Sequence, residues 1–208
     1  MKTIGLLLGS FDPIHVAHIN IASCVLNSRL CDEVLFVVAK HNPWKNYEPA
    51  PFEIRCKMVQ ASIAPFHGAC KVCDLEKDIE PPAYSYMVLT KIREQYPDDN
   101  LCLITGTDTF NSLPGWKNWK TDIEPYFKVI CVDRNMANSK DVGLKKEDAF
   151  VVGSFDCLIG KIDNVTPRTL DVSSTIIRNM VSKRENPYPL VTKDVLNIIE
   201  RYKLYRNG

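Results

Sequence analysis

Apolar residues fall along this chain in short dense runs, separated by longer stretches of mixed polarity. Thr3–Leu8, Glu33–Ala39, Leu101–Thr105 and Lys128–Val132 are bounded runs rich in Val, Ile and Leu. Near-continuous apolar character at that length marks strands covered on both faces, as in a parallel sheet. Ala149–Val152 reads as a further, shorter strand. Val16–Leu30, Phe52–Ile63 and Tyr84–Gln95 lie between the runs and have helical length and composition. Alternating strand and helix predicts an α/β fold, doubly wound and Rossmann-like, with a mostly parallel sheet and helices on both faces. The tail changes character. Ser173–Lys183 reads as a helix, the prolines of Glu185–Pro189 break it, and another helix starts at Thr192. That second helix carries Val195, Ile198, Ile199 and Tyr202 at i, i+3, i+4 and i+7. Lys40–Pro51 and Asn135–Asp148 read as loops, and no linker divides the chain. Residues 1–208 are therefore expected to form one domain that includes the C-terminal helices of 173–208.

Composition narrows the classes of partner. At 208 residues and 45% hydrophobic, the chain can bury one substantial core. Its 26 Lys and Arg nearly balance 25 Asp and Glu, so neither nucleic acid nor a membrane surface is expected as a main partner. Small charged ligands remain open. Cys24, Cys31, Cys102 and Cys131 sit in or beside apolar runs, where a free thiol acts as a small hydrophobe. Cys70 and Cys73 form a lone CxxC with no second pair at zinc-ribbon spacing, and a strand crossing the core explains them better than metal. The apolar start ends at Phe11-Asp12-Pro13, short of a secretory h-region, and no run reaches the ~20 residues of a membrane span. A cytoplasmic protein with reduced thiols is expected.

The first chemical signal is GSFDPIHVAH. A strand should end near Gly9 and a helix begin after Pro13, at the carboxyl edge where open parallel sheets bind ligands. Gly9-Ser10 allows a close backbone approach, and the free N–H groups of a helix start attract anions. His15 and His18 share one face of that first turn, in line with Ile19, Ala22, Ser23 and Leu26. Two imidazoles beside an anion site describe a phosphate clamp. Metal binding by the pair is weaker, because only His41 and His67 remain as further imidazoles, and no metal site is expected. The motif resembles the signature of the HxGH nucleotidyltransferases, whose two histidines contact ATP phosphates. Ala17 stands where that family usually has glycine, so slightly altered geometry is expected.

The second signal is LDVSSTIIRNM. Ser173, Ser174 and Thr175 are good N-cap candidates, and Ser174, Thr175 and Arg178 share a face. Ile176, Ile177, Met180 and Val181 would supply the buried side. Hydroxyls, N–H groups and a guanidinium at one helix start again suit phosphate. The stretch resembles the SSTxIR motif of nicotinate- and nicotinamide-mononucleotide adenylyltransferases, which binds the ATP triphosphate opposite the histidines. The third signal, LCLITGTDTFNSLPGWKNW, brings a strand, the Gly106 turn and Asp108 to the same sheet edge. The family has a similar G-x-D followed by L-P-x-W, with the Asp near a ribose and the Trp stacked on the pyridine ring. Asp108 and Trp116 would be those residues, while Trp119 reads as packing. Lys45, Pro82-Ala-Tyr84-Ser85 and Arg134 give fainter matches, and Met87 stands where the family has Asp.

The resemblance spans the whole chain. It implies catalysis by His18, His15 and Arg178. It implies an ATP site that also uses Gly9, Ser10, Phe11, Gly106, Asp108, Ser173, Ser174 and Thr175. Lys45, Tyr84, Ser85, Trp116 and Arg134 would bind the mononucleotide. The implied reaction is adenylyl transfer from ATP, with Mg²⁺ on the triphosphate, to nicotinate or nicotinamide mononucleotide, giving the NAD-type dinucleotide and pyrophosphate. Phosphopantetheine adenylyltransferase is the nearest alternative, and a nucleotide-binding regulatory module without catalysis is the alternative of another class. Oligomeric state is left open.

Overall fold

A computed structural model of the chain describes residues 1–40, 47–132, 149–152 and 172–206. Lys45, Arg134 and the Asn135–Asp148 loop lie outside the described residues, as does half of the Lys40–Pro51 loop. The strands are β1 (Thr3–Gly9), β2 (Glu33–Val38), β3 (Cys70–Cys73), β4 (Asn100–Gly106), β5 (Lys128–Val132) and β6 (Ala149–Val152). Helices α1 (Val16–Asn27), α2 (Phe52–Ile63), α3 (Ser85–Gln95) and α4 (Thr107–Ser112) lie between them, and α5 (Ser174–Ser182) and α6 (Lys193–Arg201) follow.

All six strands are parallel, in the order β3-β2-β1-β4-β5-β6. The winding reverses between β1 and β4, so Gly9 and Gly106 border the crevice at the switch point. Each of β1 to β5 splits its apolar residues between two cores. Val34, Phe36, Cys102, Ile104, Ile130 and Val132 point to one face, and Leu35, Val37, Leu101, Leu103, Val129 and Cys131 to the other. Continuous apolar runs were needed because both faces are covered. The same alternation settles the CxxC: Cys70 packs into the first core and Cys73 into the second. Their sulfurs lie on opposite sides of the sheet and cannot chelate one ion.

Helix α1 stops at Asn27, short of the expected Leu30, because Arg29 takes a left-handed conformation (φ 54°) just past its end. The helix is also buried more widely than its predicted stripe, with Val16, Ala17, Ile21, Ala22, Ser23, Cys24 and Val25 all inside. The C-terminal segment is the reason. Val172, Ile177, Val191, Val195 and Ile199 join α1 and α2 in the first core. Val16 N–H donates to the Leu190 carbonyl across that contact, at 3.0 Å. Among the described residues no helix is long and apolar enough to cross a membrane.

Candidate active site

The segment leaving β1 is shaped by an unusual residue. Phe11 has φ 45° and is almost wholly buried, its ring 5.6 Å from Phe36 and edge-on to His18 at 5.0 Å. A side chain at Gly9 would put its Cβ 2.9 Å from the Phe11 ring. Glycine there makes room for the Phe11 ring. Asp12 and Ile14 are fully buried, and His15 then forms the N-cap of α1.

His18 bonds back onto that cap: the His15 backbone N–H donates to His18 Nδ1 at 3.3 Å. The two rings stack with centroids 3.7 Å apart. A neutral His18 whose Nδ1 accepts carries its proton on Nε2. His15 is buried and His18 half-buried, so His18 is the more accessible of the pair. Ala17 is 1% exposed, its side chain in the first core. The crowding expected from its methyl therefore falls on the core rather than on the opening.

Helix α5 docks against the same segment. Ser173 Oγ caps it by accepting from Ile176 N–H at 3.3 Å. Ser174 Oγ donates to the Pro13 carbonyl at 2.9 Å, and Arg178 Nη1 to the Asp12 carbonyl at 2.8 Å. Arg178 Nη2 also donates to Thr175 Oγ1 at 3.1 Å, with the guanidinium 4.2 Å above the Tyr47 ring. The start of α5 and the segment leading into α1 thus share one wall, through a bond between residues 161 apart in sequence. These bonds roll α5 so that Ile177 enters the core while Ile176, expected inside, is 42% exposed.

Three supporting residues were not among the sequence candidates. Arg55 is 1% exposed, yet it lies on the apolar face of α2 with Met58 and Val59 at i+3 and i+4. Its guanidinium donates to the carbonyls of Ser10 (2.6 Å), Ala50 (2.8 Å), Lys40 (2.9 Å) and Ala39. One cation so ties the carboxyl ends of β1 and β2 together beside the site. Tyr47 lies under the Arg178 guanidinium, and Tyr205 reaches Asp12: its hydroxyl donates to Oδ1 at 2.7 Å, where Ala50 N–H also donates at 3.2 Å. Burial first, then the nearby Asp12 carboxylate, pushes the Tyr47 hydroxyl up to about 12, and burial also raises Tyr205. An arginine on an apolar stripe was a readable signal. The long-range tyrosines left none.

The remaining candidates come from the other half of the sheet. Tyr84 precedes α3 and Ser85 begins it. Lys117 Nζ lies 4.0 Å from the Tyr84 ring centroid, joining that helix start to the segment after α4. Trp116 and Met87 are partly buried against the second core, and Trp119 is buried as packing. Gly106 caps α4, whose first turn contains Asp108. The structure thus groups Gly9, Ser10, Phe11, His15, His18, Ser173, Ser174, Thr175 and Arg178 on the β1 side, with Tyr84, Ser85 and Trp116 on the second-core side. Among the described residues no three His, Cys, Asp or Glu side chains gather as a metal cage.

The cytidylyltransferase-like family matches residues 6–180. A Shewanella frigidimarina protein named "Probable nicotinate-nucleotide adenylyltransferase" is 30% identical, the match covering 98% of this chain and 99% of that one. A Cytophaga hutchinsonii protein of the same name is 31% identical, with 98% of each chain covered. In fold, the chain is similar to Plasmodium falciparum nicotinic acid mononucleotide adenylyltransferase complexed with NaAD, at TM-score 0.76 and 17% identity. That match covers 99% of this chain and 98% of the other.

Proposed function

The chain belongs to the cytidylyltransferase-like family, among the nicotinate-nucleotide adenylyltransferases, and from that premise we propose that it transfers the adenylyl group of ATP to nicotinate mononucleotide. The products are the dinucleotide of NAD biosynthesis and pyrophosphate. The observation that carries this reading is the docking of α5 on the Asp12–Pro13 segment through Ser174 and Arg178. That contact brings two anion-seeking helix starts to one place.

A phosphate oxygen of the mononucleotide, already ionised at neutral pH, attacks the α-phosphorus. The bond to the bridging oxygen breaks, and pyrophosphate leaves with its electron pair. No protein base is needed, so alignment and charge neutralisation supply the catalysis. His18 donates from Nε2 to a phosphate oxygen while its Nδ1 is held by the His15 backbone. Arg178, oriented by Asp12 and Thr175, has donors to spare for the triphosphate. His15 and Lys45 assist, with Gly9, Ser10, Phe11, Gly106 and Asp108 completing the nucleotide side. Tyr84, Ser85, Trp116 and Arg134 receive the pyridine mononucleotide. Magnesium arrives on the triphosphate as part of the substrate, coordinated mainly by its oxygens. One domain over residues 1–208 and a cytoplasmic setting, suited to the free thiols, belong to the same proposal.

The test is pyrophosphate release from ATP with each mononucleotide in turn. Release that is faster with the nicotinate form supports the proposal. Tight ATP binding with no release from either would replace it with a nucleotide-binding regulatory module.

A further inference from the structure

Asp12 is the meeting point of parts of the chain that are far apart in sequence. Its backbone carbonyl accepts from Arg178, and its carboxylate accepts from Ala50 N–H and from the Tyr205 hydroxyl. The carboxylate is wholly buried, and Tyr205 stands 193 residues away, near the end of the chain. Tyr205 itself takes a left-handed conformation, φ 58°, after Lys203 at φ 51°. Two such turns in three residues bend the chain back after α6, and this brings the hydroxyl to Asp12.

We propose that Tyr205 is a positioning residue for ATP: it fixes the Asp12 carboxylate and so sets the backbone that carries His15 and His18 and orients Arg178. Asp12 lies one residue before Pro13, whose carbonyl anchors Ser174, and three before the cap of α1. Rotation of Asp12 would move the acceptor of Arg178 and the entry to α1 together. The C-terminal residues thus act as a latch on the phosphate side and leave the Tyr84–Trp116 side untouched. This inference rests on the adenylyltransferase reading for its kinetic consequence, though not for its structural one.

The test uses the full chain carrying Tyr205→Phe, which keeps the ring and removes only the hydroxyl. Tyr202→Phe serves as a control, because the Tyr202 hydroxyl meets Lys57 instead. In Tyr205→Phe, amide exchange over residues 10–18 should rise several-fold, while β4 and β5 exchange as in the parent. Unchanged exchange over 10–18, or an equal rise in Tyr202→Phe, overturns the latch whatever reaction the enzyme performs. In the transfer assay, kcat/KM for ATP should fall roughly 10-fold, the scale of one buried hydrogen bond left unmade. The KM for the mononucleotide should stay within about two-fold, well inside the range that a single uncoupled contact moves. Loosened exchange with equal losses for both substrates would show a merely structural role and overturn the proposal. Loosened exchange in a parent chain without transfer would leave the latch standing and remove the adenylyltransferase reading.

Discussion

His18 shows how much one side chain depends on its local backbone. The spacing of His15 and His18 announced a pair on one helix face, and the structure adds what spacing could not. His18 Nδ1 accepts from the His15 backbone, which puts the proton of a neutral ring on Nε2. His18→Ala should therefore lower kcat by at least ~100-fold, the scale of losing one preorganised donor. Steady-state turnover at saturating substrates checks this, and near-normal turnover would refute the role. The supporting residues were legible to different degrees. Arg55 could have been noticed, since a cation at i with Met58 and Val59 at i+3 and i+4 must be buried or misplaced. The Tyr205–Asp12 bond could not, because nothing local links residues 193 apart. Gly9 also makes room for the left-handed Phe11, which its place after a strand did not announce.

Among the elements, α5 was the most legible and also the most instructive. Its run of hydroxyls marked the start, and Ser173 is the cap. Ser173→Ala should cost about 1 kcal/mol of stability, the usual worth of such a cap. Urea unfolding would measure it. The face of the helix was harder to read, because four apolar residues in a short helix allow more than one roll. Ser174 and Arg178 choose the roll by bonding to Pro13 and Asp12, and Ile176 is left outside. Similarly, α1 read as longer than it is, since the left-handed turn at Arg29 has no glycine to announce it. For the strands, dense apolar runs were enough to place β1, β2, β4 and β5 within a residue or so.

The whole molecule separates chemistry from anchorage along the strand direction. Carboxyl ends of β1 and β4 border the site, whereas at the amino ends Glu33 joins Lys2 and Lys71 across β1, β2 and β3. Hydrogen bonds to these two lysines, Lys2 first, hold the Glu33 carboxyl below its ordinary value of 4.5. A lowered folded value means that the stability is present above about pH 4.5 and is lost as pH falls through the acid range. Glu33→Gln should therefore flatten the acid limb of the stability profile while transfer at neutral pH is unchanged. Thermal unfolding from pH 7 down to about 3 checks the first part, the window being set by carboxylate titration. Doubly wound order was readable because the alternation of strand and helix leaves few topologies. The packing of α6 on α2, and of α5 on the segment before α1, was not, since an amphipathic helix does not name its partner.

The central claim is that the starts of α1 and α5 hold one triphosphate between them. Amide exchange with and without a non-hydrolysable ATP analogue tests it most directly. Joint protection of residues 13–18 and 173–178 is the predicted result, with the amino ends of β1, β2 and β3 unaffected. Protection of only one of those two helix starts, or of neither, would contradict it.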